Sequence, residues 1–189
     1  STRENANGVD LNRDFGWNWD HWGGSTSPYS QVETQAFQEF CLENNITLSA
    51  TLHCSGNIFL YPWCYSPTDV PEDNLVQSVG ALYANAANYT LIKSWDDYET
   101  HGELLDLMYG GHGALCYTPE ISNSLNNFPN SYARNKAGMN AFTHSLAMGN
   151  ARHGIRVNAI MPGLMDTPMA IEELRRPGQT RDQLRAERA

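Results

Sequence analysis

The sequence predicts an α/β fold in which a sheet carries helices on both faces, followed by a helix–strand tail. Short apolar runs at 46–52, 58–63 and 114–119 alternate with segments of helical periodicity, as in α/β sheets. The net charge of −9 is divided unequally, because residues 1–128 carry three Lys/Arg against sixteen Asp/Glu and residues 129–189 carry nine against five. All five Trp and all four Cys also precede residue 129. We therefore predict two units of different origin, 1–128 and 129–189.

The first unit begins as a loop and continues as alternating helices and strands. Gly and Pro punctuate residues 1–30, and the Trp residues there need burial, which predicts a loop packed onto the body of the protein. Apolar residues at helical spacing predict helices over 31–44 and 74–88. The three apolar runs predict strands. Residues 94–112 are polar and Gly-rich, which is typical of an irregular loop beside a cleft.

The second unit follows a turn-rich joint at 121–131. Helical periodicity predicts a long helix over 132–151, and the β-branched run 155–161 predicts a strand. Residues 170–189 are charged and helical, without a strong apolar face. Since strands of unrelated folds rarely share a sheet edge, we expect residues 129–189 to pack poorly on the first unit or to be loosely ordered.

Composition argues against several kinds of partner. The acidic first unit disfavours nucleic acid, and the basic tail is too short and too evenly mixed to form a nucleic-acid patch. No apolar run approaches the ~20 residues of a membrane span, so neither nucleic acid nor a membrane is predicted as a partner. The four Cys lack C-x-x-C spacing, which leaves buried free thiols or a Cys54–Cys64 bridge as alternatives.

Residues with useful chemistry gather in the first unit. Glu120 follows the run 114–119, so its carboxylate lies half desolvated at the end of a rigid strand, as a general base requires. His53 also follows a strand and is a candidate metal ligand. Asn12 and Arg13 offer an amide and a planar cation suited to a carboxylate, and Tyr98 lies in a loop that can close on a substrate.

Each of these residues alone is more often structural or simply exposed, so the prediction depends on the set. Together they match one reaction, hydrolysis at the free C-terminus of a peptide, which needs a carboxylate clamp, an activated water and a base. The expected partner is therefore the C-terminus of a peptide or protein.

The same residues lie in three strings by which the first unit resembles the M14 zinc carboxypeptidases. The strings are GVDLNR at 8–13, HCSGNIFLYPW at 53–63, and the stretch from Tyr98 to Glu120. Tyr98 and Glu120 are 22 residues apart, as are the capping tyrosine and catalytic glutamate of the family. The resemblance implies a partial carboxypeptidase-like α/β sheet and favours a secreted or periplasmic location.

The resemblance also implies roles for individual residues. Asn12 and Arg13 hold the terminal carboxylate of the substrate, His53 binds zinc, Tyr98 caps the bound residue and Glu120 is the general base.

Two further roles follow from the same resemblance. Arg3 corresponds to the arginine that polarises the scissile carbonyl. Leu105 lies where the family reads the departing side chain, which predicts an apolar C-terminal residue.

The chain departs from the family at the metal site. The other two zinc ligands of the family come from an upstream HxxE motif, and no HxxE occurs in this sequence. One ligand does not make a tight zinc site, so zinc is expected only if the missing ligands are supplied.

The second unit carries a different pattern. Tyr132 and Lys136 are spaced i, i+4, which places an ammonium beside a phenol on one helix face. Alone this is a weak signal, but it continues into KAGMNAFTHSLA and GIRVNAIMPGLMDTPM, which are similar to the C-terminal part of the short-chain dehydrogenase/reductases. That resemblance implies a Rossmann-like helix–strand tail, with Tyr132 as proton donor and Lys136 on the nicotinamide ribose. Pro162, Gly163 and Thr167 would lie against the nicotinamide of NAD(P).

Three functions therefore remain open. The leading hypothesis is a zinc metallocarboxypeptidase whose site is incomplete in this chain. The second is an NAD(P)-dependent oxidoreductase, although no Gly-rich turn for the pyrophosphate occurs in the sequence. The third is an inactive chain that binds peptide carboxylates weakly or does nothing.

Overall fold

The computed structural model describes residues 3–121, 128–153, 157, 179–180 and 183. The chain forms two compact units, residues 1–157 and 158–189, and the described part of the second consists of residues 179, 180 and 183. The tail strand predicted at 155–161 and the helix predicted at 170–189 therefore lie almost wholly outside the described residues. The boundary predicted between residues 128 and 129 separates two segments of different origin, and it stays a prediction.

A mixed sheet organises the first unit. Its strands are β1 (Leu48–Ala50), β2 (His53–Cys54), β3 (Ile58–Tyr61), β4 (Thr90–Lys93) and β5 (Leu115–Ile121). The order is β1-β5-β3-β4, and β2 also pairs with β5. β5 runs parallel to β1 and β2 and antiparallel to β3, while β3 and β4 are parallel. β5 is therefore the central strand, and its carboxyl end lies beside β2.

The helices occupy both faces of this sheet. They are α1 (Val32–Glu43), α2 (Asp73–Ala87), α3 (Ser94–Asp97), α4 (Leu104–Asp106) and α5 (Phe128–Asn150), with short helical turns at Leu11–Arg13, Leu107–Gly111 and Ala151–His153. Side chains of β3 alternate between two apolar clusters, because Phe59 packs with Tyr83 of α2 whereas Leu60 packs with Cys41 of α1. This two-residue period places helices on opposite faces and confirms the predicted fold class.

Helix α5 packs on α2, so the expected poor packing of residues 129–189 is wrong for α5. Phe142 is only 4% exposed and meets the rings of Phe59 and Tyr83 at centroid distances of 5.9 and 5.1 Å. Tyr83 also donates a 2.6 Å hydrogen bond to Asn135 of α5. Close packing depends on the size and position of side chains, and the ring of Phe142 has the position on α5 that brings it against Phe59 and Tyr83.

The N-terminal loop is fixed by one buried carboxylate. Asp14 is fully buried and accepts hydrogen bonds from the Ser25 and Thr34 hydroxyls at 2.5 Å and from the Gln31 backbone N–H at 3.0 Å. Burial raises the pKa of Asp14, but these donors outweigh it and hold the pKa below its ordinary value. The loop therefore lies against α1, as predicted.

Residues 94–112 are more regular than predicted. They contain α3, α4 and a π-helical turn, and Leu105, Leu107 and Met108 are buried. The stretch was predicted as irregular because its composition is largely polar, and this composition did not indicate that the three apolar side chains are buried.

All four Cys are free thiols, with only Cys54 exposed, so the Cys54–Cys64 bridge is not formed. Among the described residues, no helix has both the length and the apolar character to cross a bilayer.

Candidate active site

A cleft of about 830 Å³ opens at the carboxyl ends of β2 and β5. Strand ends, the turn after β2, the end of α3 and the N-terminal loop all contribute to it. Its lining residues are Arg3, Asp10, Leu11, Asn12, His53, Cys54, Ser55, Gly56, Ile58, Asp97, Tyr98 and Glu120. Five of the residues predicted from the sequence for the peptidase site therefore meet in one cleft.

His53 and Glu120 lie side by side because their parallel strands place them in register. The distance from His53 Nδ1 to Glu120 Oε1 is 3.6 Å, and both side chains are largely buried. Glu120 Oε2 is buried and makes no hydrogen bond in the part of the chain that the structure describes. Glu120 therefore keeps one carboxylate oxygen that no donor of the described residues occupies, at the wall of the cleft.

The described residues do not fit a resident zinc ion. No three His, Cys, Asp or Glu side chains among them lie close enough together to share a metal. His53 supplies one imidazole, and Glu120 beside it has the orphaned oxygen. A closed zinc site needs four ligands and a catalytic one three, so His53 alone cannot hold the metal tightly.

Asn12 and Arg3 present donors to the cleft. The Asn12 side-chain oxygen accepts a 3.1 Å hydrogen bond from the Leu104 backbone N–H, so its NH₂ group is the end available to a ligand. Arg3 forms an ion pair with Asp10, and this hydrogen bond raises the pKa of the guanidinium. The positive charge of Arg3 in the cleft is therefore paired with the negative charge of Asp10.

Tyr98 stands at the rim of the cleft, immediately after α3. Its ring is 53% exposed, and its backbone N–H donates to Ser94 O at 3.3 Å, which ends the helix. Because the ring is exposed at the rim, it can lie over a bound group without breaking a contact in the core.

Arg13 and Leu105 lie elsewhere and do not line the cleft. Arg13 is buried and its Nη1 donates to Glu103 Oε1 at 2.7 Å. Leu105 is 1% exposed and packs with Cys64 and Met108, because an apolar side chain on α4 gains most from burial in the core. Their roles in carboxylate binding and in reading the departing side chain stay predictions.

Sequence reasoning missed three acidic residues around the site. Asp10 and Asp97 line the cleft, and Glu103 holds Arg13. Burial and the charges of Glu120 and Glu103 raise the pKa of Asp97. The available signal was position, since Asp10 lies within GVDLNR and Asp97 directly precedes Tyr98.

The dehydrogenase-like residues lie apart from this cleft. Tyr132 and Lys136 occur on α5, both with exposed side chains. Pro162, Gly163 and Thr167 lie outside the described residues. The predicted dehydrogenase site therefore stays a prediction.

Two family models match the chain. The model described as zinc carboxypeptidase matches residues 1–147, and the model described as short chain dehydrogenase matches residues 121–177. The two matches overlap over 121–147, which includes most of α5.

Individual relatives of both kinds are found. Carboxypeptidase B of Astacus astacus is 29% identical over 118 residues, covering 56% of this chain and 38% of the relative. The short-chain reductase protein NovJ of Streptomyces niveus is 37% identical over 79 residues, covering 42% of this chain and 30% of the relative. The chain thus spans well under half the length of each of these relatives.

Solved structures share the fold. The carboxypeptidase A from Helicoverpa armigera superposes with a TM-score of 0.65 at 19% identity, over 76% of this chain and 43% of that one. Thrombin activatable fibrinolysis inhibitor superposes with a TM-score of 0.61 at 20% identity.

Proposed function

Because this chain belongs to the zinc carboxypeptidase family, we propose that its cleft binds the C-terminal end of a peptide and takes part in removing the last residue. The observation that carries the proposal is the meeting of His53, Glu120, Asn12 and Tyr98 around one opening. These residues are up to 108 positions apart in the sequence, between Asn12 and Glu120. A structural role for each would not require them to share a cleft.

Glu120 supplies the proton transfers. Its Oε2 accepts a proton from the attacking water while the water oxygen bonds to the scissile carbonyl carbon. The proton then passes to the leaving amide nitrogen as the C–N bond breaks, which gives a shortened peptide and a free amino acid. Glu120 is well suited to this because a half-desolvated carboxylate on a rigid strand has little freedom to turn away.

The other cleft residues bind and orient the peptide. The Asn12 NH₂ group donates to the terminal carboxylate, and the Tyr98 hydroxyl closes over the last residue from the rim. Zinc belongs to this proposal only where ligands beyond His53 are supplied, because the described residues provide no complete set. A secreted or periplasmic location is likewise proposed from the peptidase resemblance.

Release of the C-terminal residue from an N-blocked Gly-Phe dipeptide, with zinc supplied, tests the proposal. General-base catalysis contributes about 10²–10⁴ in rate, so Glu120→Gln should lower the release rate by at least about a hundredfold. Glu39→Gln, which removes a carboxylate from the exposed face of α1, should leave the rate unchanged.

Equal rates for wild type and Glu120→Gln would contradict the assignment of the base, and no release by wild type would contradict the activity itself. The same assay with N-blocked Gly-Lys tests the expected preference for apolar C-terminal residues. That preference was inferred from Leu105, which lies in the core. A faster release of Lys would refute it.

A second candidate function has a specific observation in its favour. The short chain dehydrogenase model matches 121–177, and Tyr132 and Lys136 are spaced one turn apart on α5. We propose an NAD(P)-dependent oxidoreductase as the alternative, with Tyr132 as proton donor and Lys136 on the cofactor ribose. An inactive chain remains the outcome if neither activity is found.

A further inference from the structure

Two Asn-x-Thr triplets in the sequence have no part in the proposed function. They span residues 45–47 and 88–90, with Ile and Tyr as the middle residue and therefore without Pro. Such a triplet is the acceptor pattern for N-linked glycans, but the pattern alone says nothing about access to the asparagine. The structure distinguishes the two triplets, because the surroundings of the two asparagines differ.

The first triplet lies in the turn between α1 and β1, outside both elements. α1 has its C-cap at Asn44, so the helix has ended before the triplet begins. Asn45 and Thr47 are exposed, while Ile46 between them packs against the apolar cluster that contains Cys41. The amide and the hydroxyl that a transferase has to reach are therefore both accessible in the folded chain.

The second triplet is built into a helix end and a strand. Asn88 is the C-cap of α2 with a left-handed φ of +54°, and its carbonyl accepts a hydrogen bond from Arg134. Tyr89 is 7% exposed, and the guanidinium of Arg134 lies 4.7 Å from the centre of its ring. Thr90 begins β4 and pairs with β3. A transferase could use this triplet only by taking apart the helix cap and the strand pairing, so the folded chain does not offer it.

The first triplet also borders an apolar surface. Ile46 lines a cavity of about 470 Å³ together with Phe40 and Leu52, which are 52% and 64% exposed. β1 lies beside this cavity as the outermost strand on its side of the described sheet. Residues 44–52 contain no Asp, Glu, Lys or Arg, the charged residues that commonly protect a sheet edge from pairing with another chain. A bulky hydrophilic group here would therefore shield apolar surface that the described residues leave exposed.

We propose that Asn45 is the acceptor of an N-linked glycan that covers the apolar surface beside β1. The side-chain nitrogen of Asn45 bonds to C1 of the first sugar while the bond from C1 to the diphosphate of a lipid carrier breaks. One amide proton passes to a base of the transferase, and the lipid diphosphate leaves. The co-substrate is therefore a lipid-diphosphate-linked oligosaccharide. Glycosylation of Asn45 requires a location such as the secreted one proposed above, and it does not depend on peptidase activity.

Glycan transfer to the purified, folded full chain tests the proposal. The enzyme is a single-subunit oligosaccharyltransferase that has first been shown to modify a synthetic peptide of residues 42–50, and the donor is a lipid-diphosphate-linked oligosaccharide. Intact-mass spectrometry should show a single added glycan on wild type. Asn45→Gln and Thr47→Ala should show none, because each removes a group that the acceptor pattern requires.

Asn88→Gln is the matched control, because it removes the other triplet and should carry the same single glycan as wild type. Asn45, Thr47 and Asn88 are all exposed, so the three variants should melt at the wild-type temperature. Fluorescence of the dye ANS, which binds exposed apolar surface, should be lower for glycosylated than for unmodified wild type. It should not change when Asn45→Gln is treated in the same way.

Wild type that stays unmodified would overturn the proposal, because the peptide shows that the enzyme accepts the triplet itself. A glycan on Asn88, or one that persists in Asn45→Gln, would overturn it as well. A glycan on Asn45 that leaves the ANS fluorescence unchanged would refute the covering of the apolar surface. None of these measurements involves release of a C-terminal residue, so their failure is distinguishable from failure of the proposed function.

Discussion

Replacing Phe142 with Ala removes a ring that joins α5 to the core. Phe142 is 4% exposed and contacts three aromatic rings, those of Phe59, Tyr83 and Tyr117, at centroid distances of 5.9, 5.1 and 5.6 Å. A buried Phe→Ala change costs about 3–5 kcal/mol through lost burial and the cavity left behind. With three ring partners we expect about 4 kcal/mol of destabilisation.

Urea denaturation followed by tryptophan fluorescence measures this change in the free energy of unfolding. For a chain of this size, about 4 kcal/mol corresponds to a decrease in Tm of roughly 8–16 °C. Met148→Ala is the control on the same helix, because Met148 is 69% exposed and its loss should change stability by no more than about 0.5 kcal/mol. Equal effects of the two substitutions would refute the packing of α5 on the sheet.

Two further predictions concern pH and cofactor binding. Burial raises the pKa of Asp106 to about 7, so the folded chain holds a proton that the unfolded chain releases, and the free energy of unfolding falls as pH rises from about 4 to about 7. Urea denaturation at about pH 5 and about pH 8 should therefore show a larger loss for wild type than for Asp106→Asn, and equal losses would contradict this. If the oxidoreductase alternative holds, millimolar NADH or NADPH should raise the Tm by mass action, and the Tyr132→Phe, Lys136→Ala double variant should show a smaller shift. No shift in wild type would exclude that alternative.

Local sequence patterns were sufficient to predict the strands β1, β3 and β5 and the helices α1 and α2 that pack on the sheet. The helices expected at 31–44 and 74–88 occur as α1 and α2 with ends shifted by one residue, because their apolar spacing encodes the face that packs on the sheet. The strands β2 and β4 were missed, since two and four residues provide too short a pattern. The turns in 94–112 were missed because their stability comes from side chains buried by distant parts of the chain.

The sequence also located the residues at the strand ends. His53 and Glu120 follow apolar runs, and parallel pairing of β2 with β5 brings any such residues to one edge. Asp97 was missed although it directly precedes Tyr98, because an acidic residue at that position has the same residue type and spacing whether it lies beside a cleft or on an exposed helix.

The sequence alone indicated the fold class, the family resemblance and five of the residues that line the cleft, but not Asp10 or Asp97. Tertiary structure decided which partners the charged residues take. Arg13 and Glu103 are 90 positions apart, and their pairing depends on how the segments around Asn12 and Gly102 close on each other. The tertiary structure also determines that Phe142 packs in the core and that Leu105 is buried and does not line the cleft. Periodicity encodes which side of an element is buried, but the identity of the neighbour is set only when the chain has closed, because contacts between distant segments are not written in local pattern.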